Sequence, residues 1–171
     1  MNNEVEKIIP VEPYWNAGRK VFGLWAAIIL GGFVATHYNQ TDKINYLWLA
    51  LSLIGLAYMK KEMSFQYFDL KKIFLTWFYV ILFGMIISFA AFSSPKLVFL
   101  SGYLGVFWLL VMALGHAITG IIDNKSVYVT TAGMQILAAG LTLYFLPLLI
   151  IQYLVAGLVG ALAMIWLVLY A

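Results

Sequence analysis

The chain has 171 residues, 64% of them hydrophobic and only 10% charged, against roughly 25% charged in an average soluble domain. A chain this apolar, with a mean hydropathy of +0.96, cannot cover its own surface with polar groups, so its solvent is lipid. The absence of cysteine excludes disulfides, thiolate metal centres, iron–sulfur clusters and thiol catalysis. The net charge of +3 does not point to nucleic acid, because the ten Lys and Arg are scattered at the ends of apolar runs, where they meet lipid headgroups.

Met1 to Lys20 is a polar lead with Glu4, Glu6 and Glu12. Pro10 and Pro13 are expected to keep it from being one helix. It lacks the basic start, short apolar core and small-residue site of a removable signal peptide. Tyr14 and Trp15, just before Arg19 and Lys20, read as an interfacial anchor. The first span is expected over about Val21 to His37. Gly23, Ala27, Gly31 and Ala35 recur on it at every fourth position, one face of small residues. That face packs either within the chain or against another protein.

A polar loop, Tyr38 to Lys43, leads to a short second span, Ile44 to Met59. Lys60 to Lys72 is the longest internal polar segment and reads as a cytoplasmic loop or an interfacial stretch. A third span, Ile73 to Phe92, ends at the turn around Pro95. The apolar run Leu97 to Ile122 is the fourth, stopping at Asp123, Asn124 and Lys125. From Ser126 to Ala171 no residue is charged, a stretch of about 70 Å as one helix. It must fold back, and Pro147 divides it into Val127 to Leu146 and Leu148 to Ala171.

The expected architecture is all-α: a polar cytoplasmic segment, 1–20, and one six-helix transmembrane domain, 21–171. With six spans, Lys7, Arg19, Lys20, Lys60, Lys61, Lys71, Lys72 and Lys125 fall on one side, and Lys43 and Lys96 on the other. That division places both termini in the cytoplasm of a multi-pass protein of the cell or inner membrane. The two three-span halves show no residue-level similarity that marks an inverted repeat.

On the fourth span Ser101, Gly105, Trp108, Met112, His116, Thr119 and Asp123 form one stripe at helical spacing. It is expected to face the bundle. His116 there reads as a ligand-site residue or as a neutral imidazole bonded to a neighbouring span. Gln135 on the fifth span lies at a matching depth. The candidate binding set is therefore His116, Trp108, Gln135, Met112 and Thr119. His37 and His116 fall at opposite ends of the bundle, too far apart to share a haem. No carboxylate lies within a span, and no nucleophile and base are brought together. Neither a cofactor nor an enzymatic activity is expected.

Two functions fit. The first is a non-enzymatic accessory or assembly subunit that acts by helix–helix association. Its contact faces, toward another membrane protein or a second copy of the chain, are Gly23, Ala27, Gly31 and Ala35 on the first span and Gly157, Gly160 and Ala161 on the last. The second is a small-molecule transporter, channel or substrate-binding subunit with a site around His116.

Overall fold

The computed structural model describes residues 11–63 and 68–170, and no strand occurs among them. Helix α1 is Val11–Tyr38, α2 Ile44–Glu62, α3 Phe68–Ser93, α4 Leu104–Asp123, α5 Ser126–Tyr144, α6 Leu146–Ile150 and α7 Gln152–Tyr170. A 3-10 segment, Val98–Tyr103, leads into α4. Among the described residues five stretches are long and apolar enough to cross a membrane: Ala17–Tyr38, Asp69–Ser93, Val98–Asp123, Ser126–Tyr144 and Gln152–Tyr170. Helix α2 is not among these; Lys60, Lys61 and Glu62 in its last turn lower its apolarity.

Three boundaries differ from expectation. The described part of helix α1 runs from Val11 and includes Pro13, so Val11 to Lys20 of the polar lead is helical. Pro147 lies in the first turn of α6, so it starts a helix instead of dividing two. The reversal runs from Phe145 to Ile151, and the last long helix begins at Gln152, not Leu148. The fourth apolar run is not one α-helix but a 3-10 segment followed by α4. The expected anchor side chains of Tyr14 and Trp15, and residues 64–67 of the polar segment, lie outside the described residues.

The molecule is inside-out relative to a water-soluble bundle. Leu53, Ile86, Leu114, Leu137 and Leu158 are exposed, while Asn45, Ser88, His116, Gln135 and Thr142 are buried. Hydroxyls inside satisfy themselves on the preceding turn, as Thr36 does on Gly32 O and Thr142 on Ala138 O. Such pairing is required where no water reaches.

The first four long helices share one device. Each carries a tryptophan followed seven residues later by a glycine: Trp25 and Gly32, Trp48 and Gly55, Trp77 and Gly84, Trp108 and Gly115. Helices α1 and α2 exchange these residues, and so do α3 and α4. A Cβ on Gly32 would come within 2.6 Å of the Trp48 ring, and one on Gly55 within 2.6 Å of Trp25. In the second hairpin the distances are 2.5 Å from Gly84 to Trp108 and 2.8 Å from Gly115 to Trp77. Each indole therefore occupies the space a side chain would need.

The indole N–H groups repeat the correspondence. Trp48 Nε1 donates to Thr36 Oγ1 at 2.8 Å, and Trp108 Nε1 donates to Ser88 Oγ at 2.9 Å. Thr36 and Ser88 each follow the glycine by four residues.

The sequence repeats with the structure. Helix α3 matches α1 without a gap from Arg19 onward: Lys20 with Lys72, Phe22 with Phe74, Trp25 with Trp77, Ile29 with Ile81, Leu30 with Leu82 and Gly32 with Gly84. The repeating unit is thus a two-helix hairpin in the same orientation, and not an inverted three-helix half. Trp48 and Trp108, equivalent residues, stack on each other with ring centroids 6.0 Å apart and planes 15° from parallel. These equivalent rings are where the two hairpins meet.

The long helices form a ring, α1 to α5 in order and then α7, which closes on α1. Contact between α4 and α7 across the ring leaves a tight sector, α4–α5–α7, and a wide one bounded by α1, α2, α3, α4 and α7. The four tryptophans fill the wide sector. At the closing seam a Cβ on Gly157 would lie 2.9 Å from Phe33 Cβ, and one on Gly160 2.7 Å from Ile29 Cγ2.

Gly84→Leu is expected to destabilise the fold by about 1–3 kcal/mol or more, because the Trp108 indole has no other place to go. Gly140→Leu, where nothing lies within 4 Å, should leave stability equal or slightly raised. Thermal melting in detergent compares the two, and equal losses would refute the interlocking.

Candidate functional site

The α4 stripe faces the bundle as its spacing requires, with Gly105, Met112, His116 and Thr119 all buried. Helix α4 ends at Asn124, whose φ of 53° and ψ of 37° form a left-handed cap that asparagine tolerates. The turn sends α5 back along α4, bringing Gln135 level with His116. The two side chains are fully buried and bonded, His116 Nδ1 to Gln135 Oε1 at 2.9 Å. With the carboxamide oxygen accepting, Nδ1 donates and Nε2 keeps its lone pair. His116 Nε2 and Gln135 Nε2 have no hydrogen-bond partner.

The other candidates are divided by the fold. Trp108 bonds Ser88 and stacks on Trp48. Met112 packs toward Gly160, with Sδ 3.2 Å from where a Cβ would stand. Thr119 donates to Gly115 O at 2.8 Å. Within the set of five, His116 and Gln135 are joined side chain to side chain. Gln152 of α7 sits at the opposite end of the bundle. There its Oε1 accepts from Gly105 N at 2.9 Å and its Nε2 donates to Gly102 O, satisfying backbone groups freed where the 3-10 segment becomes α4.

Two cavities occupy the wide sector. The larger, about 280 Å³, is at the end of the bundle that carries Arg19, Glu62, Asp123 and Lys125. The smaller, about 50 Å³, runs on toward the Trp48–Trp108 stack, and both share Val21, Phe22, Met59 and Trp77. Thr119 lines the larger cavity, and Trp108 and Met112 the smaller. His116 and Gln135 line neither. Trp77 lines both cavities and meets the imidazole edge to face, with ring centroids 5.0 Å apart.

The hairpin repeat shows which side chains are not explained by packing alone. His116 is equivalent to Leu56, Thr119 to Met59 and Asp123 to Met63. One copy is apolar at all three positions and the other polar, on one face of α4. Trp77, Phe22, Glu62 and Tyr128, which line the larger cavity, escaped the reading of single spans. The signal that finds Trp77 is the fourfold Trp-to-Gly spacing.

No protein-family model, curated protein or solved structure matches this chain. Its class is given by its own fold: an all-helical bundle with five helices long and apolar enough to cross a membrane.

Replacing His116 by leucine leaves the Gln135 carboxamide buried without a partner. The expected loss is about 1–3 kcal/mol. The double variant His116→Leu/Gln135→Leu removes both partners and should regain part of that loss. Denaturation of both in detergent checks this, and additive losses would show that the two side chains are not coupled.

Proposed function

We propose that the chain is a six-span, non-enzymatic membrane protein that works by helix–helix association, as an accessory or assembly subunit in the cell or inner membrane. One observation carries this reading. In α3 the positions Leu75, Tyr79, Phe83 and Ile87 form an outer face of large apolar side chains, the first three of them exposed. Their equivalents in α1 are Gly23, Ala27, Gly31 and Ala35. Gly23, Ala27 and Gly31 are exposed, and a Cβ on Gly23 or Gly31 would meet nothing within 4 Å.

The same scaffold thus carries an ordinary lipid-facing stripe in one hairpin and an empty, small-residue stripe in the other. Small residues gain nothing from lipid tails but let a second backbone approach closely. The face therefore suits a transmembrane helix of another subunit. The small face of α7 is different: Gly157, Gly160 and Ala161 are filled from within the chain, by α1 and Met112 at the two glycines. With α1 and Met112 against those glycines, the docking reading rests on the α1 face.

Six spans are supported by α2, which runs antiparallel to α1 from Trp48 beside Gly32 to Glu62 beside Lys20. Its 19 residues reach about 28 Å, and its outer face is Leu49, Leu53 and Ile54. With α2 crossing, Arg19, Lys20, Lys60, Lys61, Lys71, Lys72 and Lys125 share one end, and Lys43 and Lys96 the other. That bias favours cytoplasmic termini.

Reporter fusions at residues 1 and 171 are expected to give cytoplasmic signals at both, whereas opposite signals would leave five crossings. Gly31→Leu should leave the melting temperature of the purified chain unchanged and abolish its association in native purification. Gly157→Leu should lower the melting temperature directly. Association that survives Gly23→Leu/Gly31→Leu would refute the docking face.

A further inference from the structure

We propose that the two cavities of the wide sector form one binding site for an uncharged, elongated lipophile with a hydrogen-bonding oxygen at each end. This is independent of what docks on α1. The cavities, of about 280 Å³ and about 50 Å³, share Val21, Phe22, Met59 and Trp77. Protein interiors hold few voids larger than a water molecule, and the larger cavity alone is close to the lower end of the range for small-molecule pockets.

The buried hydroxyls point to a ligand in that space. Thr36, Ser88, Thr119, Thr131 and Thr142 each donate to the carbonyl four residues before, and Tyr153 donates to Ser101 O. Two buried hydroxyls, those of Ser52 and Tyr128, have no hydrogen-bond partner among the described residues. Ser52 is 6% exposed and Tyr128 7%. Both line the cavities, Ser52 the smaller and Tyr128 the larger. The sealed polar atoms without partners lie elsewhere, on His37, Asn45, His116, Gln135 and Trp166. The interlocking of the hairpins requires neither hydroxyl: Ser52 is equivalent to Met112, and Tyr128 belongs to α5, outside the repeat.

The two hydroxyls set the length of the ligand. Gly32 beside Trp48 and Lys20 beside Glu62 put Phe22 level with Met59, and Tyr128 packs on Phe22 with ring centroids 6.2 Å apart. Ser52 lies two helical turns deeper than Met59, about 10 Å by the rise per residue. One water cannot bridge that span, and a water beside Ser52 would lack the several polar partners it needs. The walls between suit an aromatic body: Phe22 and Trp77 run along both cavities, with Trp48 and Trp108 at the inner end.

The charge of the ligand follows from the mouth. Arg19 and Lys125 line it together with Glu62 and Asp123, two charges of each sign. Glu62 is paired with Lys20 at 3.9 Å and Asp123 with Lys125 at 3.3 Å. Among the described residues the wall of the smaller cavity carries no charge. A charged ligand would leave water for this apolar space without a counter-charge, at a cost an uncharged one avoids.

The test uses the full chain in a nonionic detergent, titrated with p,p′-biphenol, a neutral aromatic rod with a hydroxyl at each end, and followed by calorimetry. The controls are p,p′-dimethylbiphenyl, of the same shape without oxygens, and the dianion p,p′-biphenyldisulfonate. Saturable binding of the biphenol at one equivalent, at least tenfold tighter than either control, is expected. Ser52→Ala and Tyr128→Phe should each weaken it at least threefold by removing one hydrogen bond, and the double variant should bind it no tighter than dimethylbiphenyl. Melting curves and gel filtration establish that each variant is folded; the hydroxyls bond nothing else in the chain, so the curves should match the wild type. Lack of saturable binding by the wild type, equal affinity for either control, or a preference for the biphenol retained by the folded double variant would each overturn the proposal.

Discussion

Everything in this bundle depends on the seating of indoles against bare helix backbone. Lipid tails are as apolar as leucine, so burying a leucine between two helices gains little over leaving it in the bilayer. What remains is close contact, in which many small dispersion gains add up, and hydrogen bonds that find no competitor. A tryptophan over a glycine supplies both. The ring covers a large area of the facing helix, and at Trp48 and Trp108 the N–H reaches a hydroxyl one turn beyond the glycine. Because each helix of a hairpin gives one ring and receives another, the two are locked in register along their length. A slide of one helix would drive an indole into a backbone that carries a Cβ.

Setting two such hairpins side by side creates both the core and its weakness. Trp48 and Trp108 stack between them and fill the core at one height. Toward the charged end the helices bounding the wide sector leave space, and the cavity is the result. On the other side of α4 three helices pack tightly enough to bury His116 and Gln135 completely. The histidine is therefore not a wall of the cavity. Trp77 touches both, so a change in its rotamer would alter the cavity and the environment of the imidazole together.

Much of this was legible in the sequence. The apolar runs gave every long helix, because a span in lipid must be continuous. The polar stripe of the fourth span pointed inward, and the depth match between His116 and Gln135 follows from rise per residue alone. The prolines misled: Pro13 lies within α1, and Pro147 stands in the first turn of α6, where a proline starts a helix as readily as it ends one. The small residues of α1 and α7 carry the same pattern, yet one face is open and the other filled. Spacing shows that a face is small, and only the arrangement of helices shows what covers it. The repeat was present in the sequence as well, but at hairpin length, so a comparison of three-span halves passes over it.

The repeat serves as an internal control for each of these sites. Two hairpins with the same interlocking geometry need the same residues to hold it, and at the tryptophans, the glycines and the residues Thr36 and Ser88 they have them. Positions where the copies differ in kind are free of that requirement. Such differences include two in particular: the outer face of α1, emptied where α3 is large, and the charged end of the inner face of α4, where Thr119 and Asp123 stand for Met59 and Met63. The first change leaves open space beside Gly23 and Gly31, and the second puts a hydroxyl and a carboxylate on the wall of the larger cavity. Both lie on helices whose opposite sides are fixed by a Trp–Gly lock, so neither adaptation disturbs the scaffold that presents it.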